Sequence, residues 1–564
     1  MTIPALPYQN IIHNSIVSAI CIDDKYVTPY QTPAEGDKFE DTRSLYNSFR
    51  RDGNCDLDIY KFENIDQFNE DRQYLFNNKD LLILDWELNE GDQCKYKDAL
   101  PILSQAIVEN HIQFISIYTH AEDTESIALK IFSYFKYANY RKEEIVGGLE
   151  ELSSIEDEFE NDSSFESIIK KHIKGYTLHR NKRRELKANI SREIKNELNN
   201  NQRYNTFCGD VKLKRENLSG DFEPFEWLEC YFSETEMEFS DITYEVEIVE
   251  IQEDAPFYTL MINNSLVTII SKAKNGDEDE KLIKPSDLYT AISRIIENVP
   301  NKFSALVSLE LKQFYRKSIN AFGRGFMGIN EAALMHHAKN YEQKTQYEEF
   351  YNFILSCWNS QITYRVKEEI ESVNLLAPDI SAYTTNPEEE HLIKLNHFLT
   401  FSKNTKKMNK RKIRFGDVFC LEKALPYFEE VSGKIVKDRN NYKYLICITQ
   451  QCDCIRPHKV NKNFAFVIGK EVRSDDIKSA LQNTEKKHYT FVNERNIIEW
   501  DKKFLTIDIG DNNEFNPKTG INFLLKRKKI HADFLGNQKG TFTQRLANLV
   551  FSNAMRIGID LPHL

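Results

Sequence analysis

Apolar and polar positions come in blocks along the first part of the chain. The run IVSAICIDDKYV (16–27) stays largely apolar up to Ile22 and then meets Asp23 and Asp24. DLLILDWEL (80–88) carries four apolar residues in a row and stops on Asp85, and QFISIYTHAED (113–123) stops on Thr119. Short apolar runs bounded by polar residues predict buried strands. DALPILSQAIVENH (98–111) and DTESIALKIFSYFK (123–136) space their apolar residues as helices do. Strands alternating with helices predict a parallel sheet with its strand ends along one edge. A carboxylate that ends such a strand is either ordinary turn chemistry or part of a site on that edge.

The pattern changes near residue 150. EELSSIEDEFENDSSF (150–165) is acidic and poor in apolar residues, and a strongly basic stretch follows from Lys170 to Lys195. Leu186, Ile190, Ile194 and Leu198 fall four apart, which predicts one helical stripe packed on a neighbour or on its own copy, the alternative being an RNA- or DNA-binding helix. TYEVEIVEIQ and FYTLMINNSLVTIISK, between 243 and 272, alternate as strands around the turn residues INNS. KPSDLYTAISRIIENV (284–299) opens a helical region. After polar boundaries at 377–414, FGDVFCLEKA and YKYLICITQQCDCIRPHK begin a β-rich part, and TQRLANLVFSNAMRIGIDLP closes the chain as a helix.

The expected fold class is therefore multidomain α/β plus α+β. It comprises an α/β domain at 1–150, a helical linker at 151–205, a mixed middle domain at 206–376, and a β-rich domain with its closing helix at 377–564. A length of 564 residues suits about three domains at roughly 150 residues each. Hydrophobic content of 41% and charged content of 29% are those of a globular chain. A net charge of −13 disfavours nucleic acid as the default partner. The start MTIPALPYQN carries no signal-peptide pattern and no apolar run is long enough to span a membrane, so we expect a cytoplasmic protein. Ten cysteines without a CxxC pair point to reduced thiols.

Three carboxylates converging on one sheet edge repel one another unless a cation joins them, and hard oxygen ligands suit Mg²⁺. An Asp so placed is also able to accept a phosphoryl group as an acyl phosphate. This set resembles the receiver domain of two-component response regulators, in a flavodoxin-like fold. The resemblance matches Asp23 and Asp24 to the acidic pair after the first strand, Asp85 to the phosphoacceptor and Thr119 to the switch hydroxyl. His120 stands where a small residue usually follows the switch position. ANYRKEEI offers Lys142 as the lysine after the fifth strand, with Lys136 as its rival, although the usual following Pro is missing. The stretch from Thr28 to about Asn78 is longer than the usual helix and strand. This resembles a divergent receiver subgroup on large proteins of bacterial defence-type operons. The resemblance implies Mg²⁺ held by Asp23, Asp24 and Asp85, a histidine kinase or ATPase as partner, and a role in antiviral defence.

Elsewhere the chemistry is sparse. Cys452 and Cys454 with His458 leave a tetrahedral zinc site incomplete, so we expect packing or turn chemistry there rather than metal. GDVF (416–419) and ICITQQCD resemble segments of uncharacterised bacterial proteins and mark a domain start. No catalytic constellation stands out beyond the phosphoacceptor. Two other readings stay open: an effector enzyme, nuclease or hydrolase, regulated by a degenerate receiver, and a non-catalytic interaction scaffold.

Overall fold

The computed structural model describes residues 7–136, 246–249, 257–339, 350–363 and 388–557, apart from short breaks within these ranges, together with residues 167, 168 and 171. The chain divides into two compact units, Met1–Ala382 and Tyr383–Leu564.

The first unit is built on a seven-stranded sheet. Its apolar runs form β1 (Ser18–Asp23), β3 (Leu81–Leu84) and β4 (Phe114–Thr119), with β2 (Asp56–Lys61) on the edge beside β1. β5 (Val246–Val249), β6 (Tyr258–Ile262) and β7 (Ser265–Ser271) complete it, in the order β2-β1-β3-β4-β7-β6-β5. The pairs from β2 to β7 are parallel and the last two are antiparallel. The parallel part thus has the 2-1-3-4-5 order of flavodoxin-like folds, with β7 as its fifth strand. β6 turns into β7 through Asn263 and Asn264, both with positive φ, a conformation asparagine tolerates well.

Among the described residues, the α-helices α1 (Pro7–Ser15), α2 (Phe39–Asn47), α3 (Ile65–Phe76), α4 (Ala99–Val108) and α5 (Thr124–Lys136) alternate with β1 to β4. Asn64 caps α3, its side-chain oxygen accepting the Gln67 N–H at 2.9 Å. Beyond β7 come α6 (Leu288–Asn298), α7 (Lys302–Met327) and α8 (Glu331–Ala338). Side chains alternate across the sheet with a period of two. Leu82, Leu84, Ile115 and Ile117 meet Phe68, Leu103 and Phe132 of α3, α4 and α5. Leu81, Ile83, Phe114 and Ile270 meet Leu45, Ile292 and Leu309 of α2, α6 and α7. Each fully buried side chain of this kind stabilises the fold by roughly 1.5–3 kcal/mol.

Asp80, at the start of β3, fixes α7 to the far edge of the sheet. Its buried carboxylate accepts the Val17 and Ser18 N–H groups and pairs with Lys312 Nζ and Arg316 Nη2, each at 2.7 Å. Lys312 and Arg316 are four apart and so share one helix face. Two expectations meet a different picture here. The sheet does not end near residue 150, because the strands at 246–271 add to it instead of opening a separate middle domain. The division between units falls after Ala382, a few residues beyond the expected boundary at 376. The basic stretch 170–198 lies outside the described residues, Lys171 excepted.

The second unit is β-rich. Strands β10 (Asp417–Leu421), β13 (Tyr442–Cys447), β14 (Asn463–Glu471), β16 (Ile497–Asp508), β18 (Ile521–Leu525) and β19 (Lys528–Gln538) pair antiparallel in that order, and β19 pairs back to β10. This closes the sheet into a ring and removes its edges. Phe419, Phe466, Phe515 and Phe523 pack edge to face within it. The C-terminal helix α9 (Gly540–Ile557) lays Leu546, Ala547 and Val550 against Val418, Ile446 and Val467 on the other face.

The GDVF segment starts β10, and its first two residues are structural. Gly416 has φ +87°, and a Cβ there would run into the Gln538 carbonyl oxygen. Asp417, fully buried, accepts from Arg411 Nη2 at 2.6 Å, Arg414 N at 2.8 Å and Asn537 Nδ2 at 2.9 Å. Gly416→Ala should therefore destabilise the ring by roughly 2 kcal/mol. Faster hydrogen exchange of the β10 and β19 amides, with the amides of β1 to β4 unchanged, is the expected readout.

Candidate functional site

β1, β3 and β4 are parallel neighbours and end on one edge of the sheet. Asp23 is the last residue of β1, Asp85 follows β3, and Thr119 is the last residue of β4. All three are buried. One carboxylate oxygen from each of Asp23, Asp24 and Asp85 lies within 4.8 Å of the others. Among the described residues this is the one trio of His, Cys, Asp or Glu side chains so disposed.

The lysine of this edge is Lys272. It directly follows β7, and its ammonium donates to Asp23 Oδ2 at 2.7 Å and to Asp85 Oδ2 at 2.6 Å. In sequence it is 249 positions from Asp23 and 187 from Asp85. Its backbone N–H donates to the Thr119 carbonyl oxygen at 2.6 Å, so the lysine is seated against β4 by its main chain as well. The rings of Tyr26 and Tyr118 flank the ammonium at 4.9 and 5.1 Å from their centroids. Lys142 lies outside the described residues, and Lys136 is the last residue of α5.

Sequence reasoning missed Lys272 because a lysine was sought soon after the fourth strand. The signal was present: SLVTIISK is an apolar run ending on a charged residue, the same pattern that marked Asp23 and Asp85. Its pairing partners could not be read from a segment so far along the chain.

The electrostatics of the edge are uneven. Burial raises the Asp23 carboxyl, but the charge and hydrogen bond of Lys272 and the N–H of Lys25 outweigh it and leave Asp23 below its ordinary value. Asp85 is pushed up to about 7 by burial, with Lys272 opposing and Asp23 adding to the rise. Asp24, half-buried, is pushed up to about 6 by burial and by Asp23. Burial depresses the Lys272 ammonium, but Asp23 and Asp85 more than restore it and hold it charged. Three carboxylates and one ammonium carry a formal charge of about −2 when all are ionised, a deficit that a divalent cation matches.

Cys454, by contrast, is turned into the core of the second unit. Its Sγ donates to the Thr449 carbonyl oxygen at 3.2 Å and lies 4.0 Å from Cys447 Sγ. That contact, together with burial, pushes the Cys454 thiol up and away from the thiolate.

Residues 15–172 match the family model described as a response receiver domain. The chain matches no curated protein and no solved structure. The first unit thus carries a receiver domain, in keeping with its sheet order and acidic edge. No helix among the described residues is long and apolar enough to cross a membrane.

Replacing Lys272 by Met should leave two buried carboxylates facing each other and cost about 3–5 kcal/mol. Without the ammonium both carboxylates have folded-state pKa values above their unfolded ones. Their contribution is then complete below the unfolded value and is lost as pH rises through the folded one. The variant's denaturation midpoint should accordingly fall further below that of the wild type at about pH 8 than at about pH 5. Adding Asp23→Asn should recover part of the loss.

Proposed function

We propose that the chain is a cytoplasmic signalling protein that accepts a phosphoryl group on Asp85 from a partner histidine kinase and passes the modification on to the rest of the molecule. The observation that carries this reading is the bridging of Asp23 and Asp85 by Lys272 at the end of the fifth parallel strand. The same bridge favours a working receiver over a degenerate one, since it assembles acid pair, acceptor and lysine together.

In the transfer, an Asp85 carboxylate oxygen attacks the donor phosphorus. Oδ1 is the oxygen for this, because among the described residues it accepts only the Glu87 N–H at 3.4 Å whereas Oδ2 accepts from Lys272 at 2.6 Å. The bond from phosphorus to the donor atom breaks, its electron pair leaves with the donor, and an acyl phosphate forms on Asp85. Lys272 stays beside the reacting carboxylate and offsets the charge gathering there. Asp23, with Oδ1 fixed by the N–H groups of Lys25 at 2.8 Å and Tyr26 at 3.1 Å, holds the lysine in place. Mg²⁺ held by Asp23, Asp24 and Asp85 would supply positive charge against the phosphoryl oxygens. The modification adds about two negative charges to a buried edge. Thr119 is the hydroxyl on that edge that would register it, at the end of β4.

An ATPase partner, a role in antiviral defence and self-association through the basic stretch belong to the same reading. Incubating the chain with a small phosphodonor and Mg²⁺ should give one acid-labile, hydroxylamine-sensitive phosphate per chain. Asp85→Asn should abolish it, and incorporation surviving in that variant would sink the reading. Protons compete with Mg²⁺ for Asp24 and Asp85, so Mg²⁺ affinity should rise as pH climbs through 6 and 7 and level off above that. Calorimetric titration across that range checks it.

A further inference from the structure

Lys38 stands just before α2, at the end of the long loop that leaves β1. Its main chain is fixed on both sides. The Lys38 N–H donates to the Lys25 carbonyl oxygen at 3.1 Å, and its own carbonyl oxygen accepts from Thr42 N at 3.0 Å and Thr42 Oγ1 at 2.8 Å. The side chain reaches across to β4, where Nζ meets His120 Nε2 at 2.6 Å. His120 directly follows the switch residue Thr119, at the position where receivers usually keep a small side chain.

The charge around Lys38 is unusual. An ammonium has no lone pair, so His120 must be the acceptor, and its ring is then neutral. Lys38 is half-buried and makes no ion pair among the described residues. The nearest acidic neighbour in sequence, Asp37, is committed to Lys61 at 2.6 Å. Burial and then the charges of Lys272 and Lys25 work against the Lys38 ammonium, and the opposing pull of Asp23 and Asp41 is smaller. A cation held close enough to Lys272 to be perturbed by it, with a neutral ring as its hydrogen-bond partner, is a cation in want of an anion.

We propose that Lys38 is a second cation of the acceptor site, resting on His120 until Asp85 is modified and then moving onto a phosphoryl oxygen. This rests on Asp85 being the acceptor. The incoming group supplies the anion that Lys38 lacks, and a charge-assisted hydrogen bond replaces one to a neutral ring. The exchange also releases His120, one residue beyond Thr119, so that a change of partner at Lys38 is felt at the end of β4.

Beryllofluoride, which forms a non-covalent mimic of the acyl phosphate on Asp85, tests this with the full chain and Mg²⁺. Lys38→Met should weaken beryllofluoride binding by about tenfold or more, the value of one charge-assisted hydrogen bond. Lys38→Arg should recover most of that loss. Mg²⁺ alone should bind Lys38→Met as tightly as the wild type or more tightly, since a nearby positive charge has gone. A misfolded variant would lose both ligands. His120→Ala, which removes the resting partner, should bind beryllofluoride at least as well as the wild type. Equal beryllofluoride affinity in Lys38→Met and wild type overturns the role of Lys38 and leaves the acceptor reading intact. An equal loss in Lys38→Met and His120→Ala overturns it too, because the pair would then be a strut. A wild-type chain that binds Mg²⁺ but no beryllofluoride overturns the acceptor reading, and the role of Lys38 with it.

Discussion

An ammonium buried between two carboxylates is a costly arrangement that few sites in a protein tolerate. Each ion gives up its water, and only close geometry on all sides returns the energy. Lys272, Asp23 and Asp85 meet that demand because three parallel strands deliver them to one edge, and because the aromatic faces of Tyr26 and Tyr118 flank the ammonium. The arrangement also constrains the chain. β7 has to enter the sheet beside β4, whatever lies in the long segment between α5 and β6, or the two acids are left unneutralised. The antiparallel hairpin of β6 and β7, with α5 packed on it, holds that strand in place.

The two ends of β3 show how one residue type serves two purposes. Asp80, at the start, is saturated: two backbone N–H groups, a lysine and an arginine satisfy it. They hold its carboxyl below the ordinary value in spite of burial. Asp85, at the other end, shares a single ammonium with Asp23 and keeps one oxygen with only a long contact to the Glu87 N–H at 3.4 Å. Its carboxyl is raised to about 7. Saturation gives a fixed strut between sheet and helix. Incomplete pairing gives a group still open to a cation or an electrophile.

The second unit spends its polar residues differently. Asp417 and Arg411 are buried together beneath the ring's start, and Thr449 Oγ1 accepts the Ala465 N–H at 2.7 Å. Gln451 Oε1 accepts from Phe415 N at 3.2 Å, tying the segment after β13 to the residue before Gly416. The two sequence segments that stood out here, GDVF and ITQQCD, are thus bonded to their own unit. Those bonds hold both segments against the start of the ring.

Much of this was legible in the linear pattern. Apolar runs that stop on Asp23, Asp85 and Thr119 are a local property, since a buried strand needs apolar residues and its end does not. The helices between them follow from spacing alone. The parallel sheet, its acidic edge and the β-rich last part with its closing helix come from the same signals. The identity of the lysine does not. A strand such as SLVTIISK carries no mark of which neighbour it will pair with, because backbone hydrogen bonds are the same for every residue and register is set by packing over the whole sheet. Nor does sequence show which partners Asp80 and Asp85 find, two acids five residues apart at opposite ends of one strand. Burial, partners and the resulting charge separate them, and those exist only once distant segments have come together. The pairing of Lys38 with His120 is of the same kind, since it joins two ordinary residues 82 positions apart.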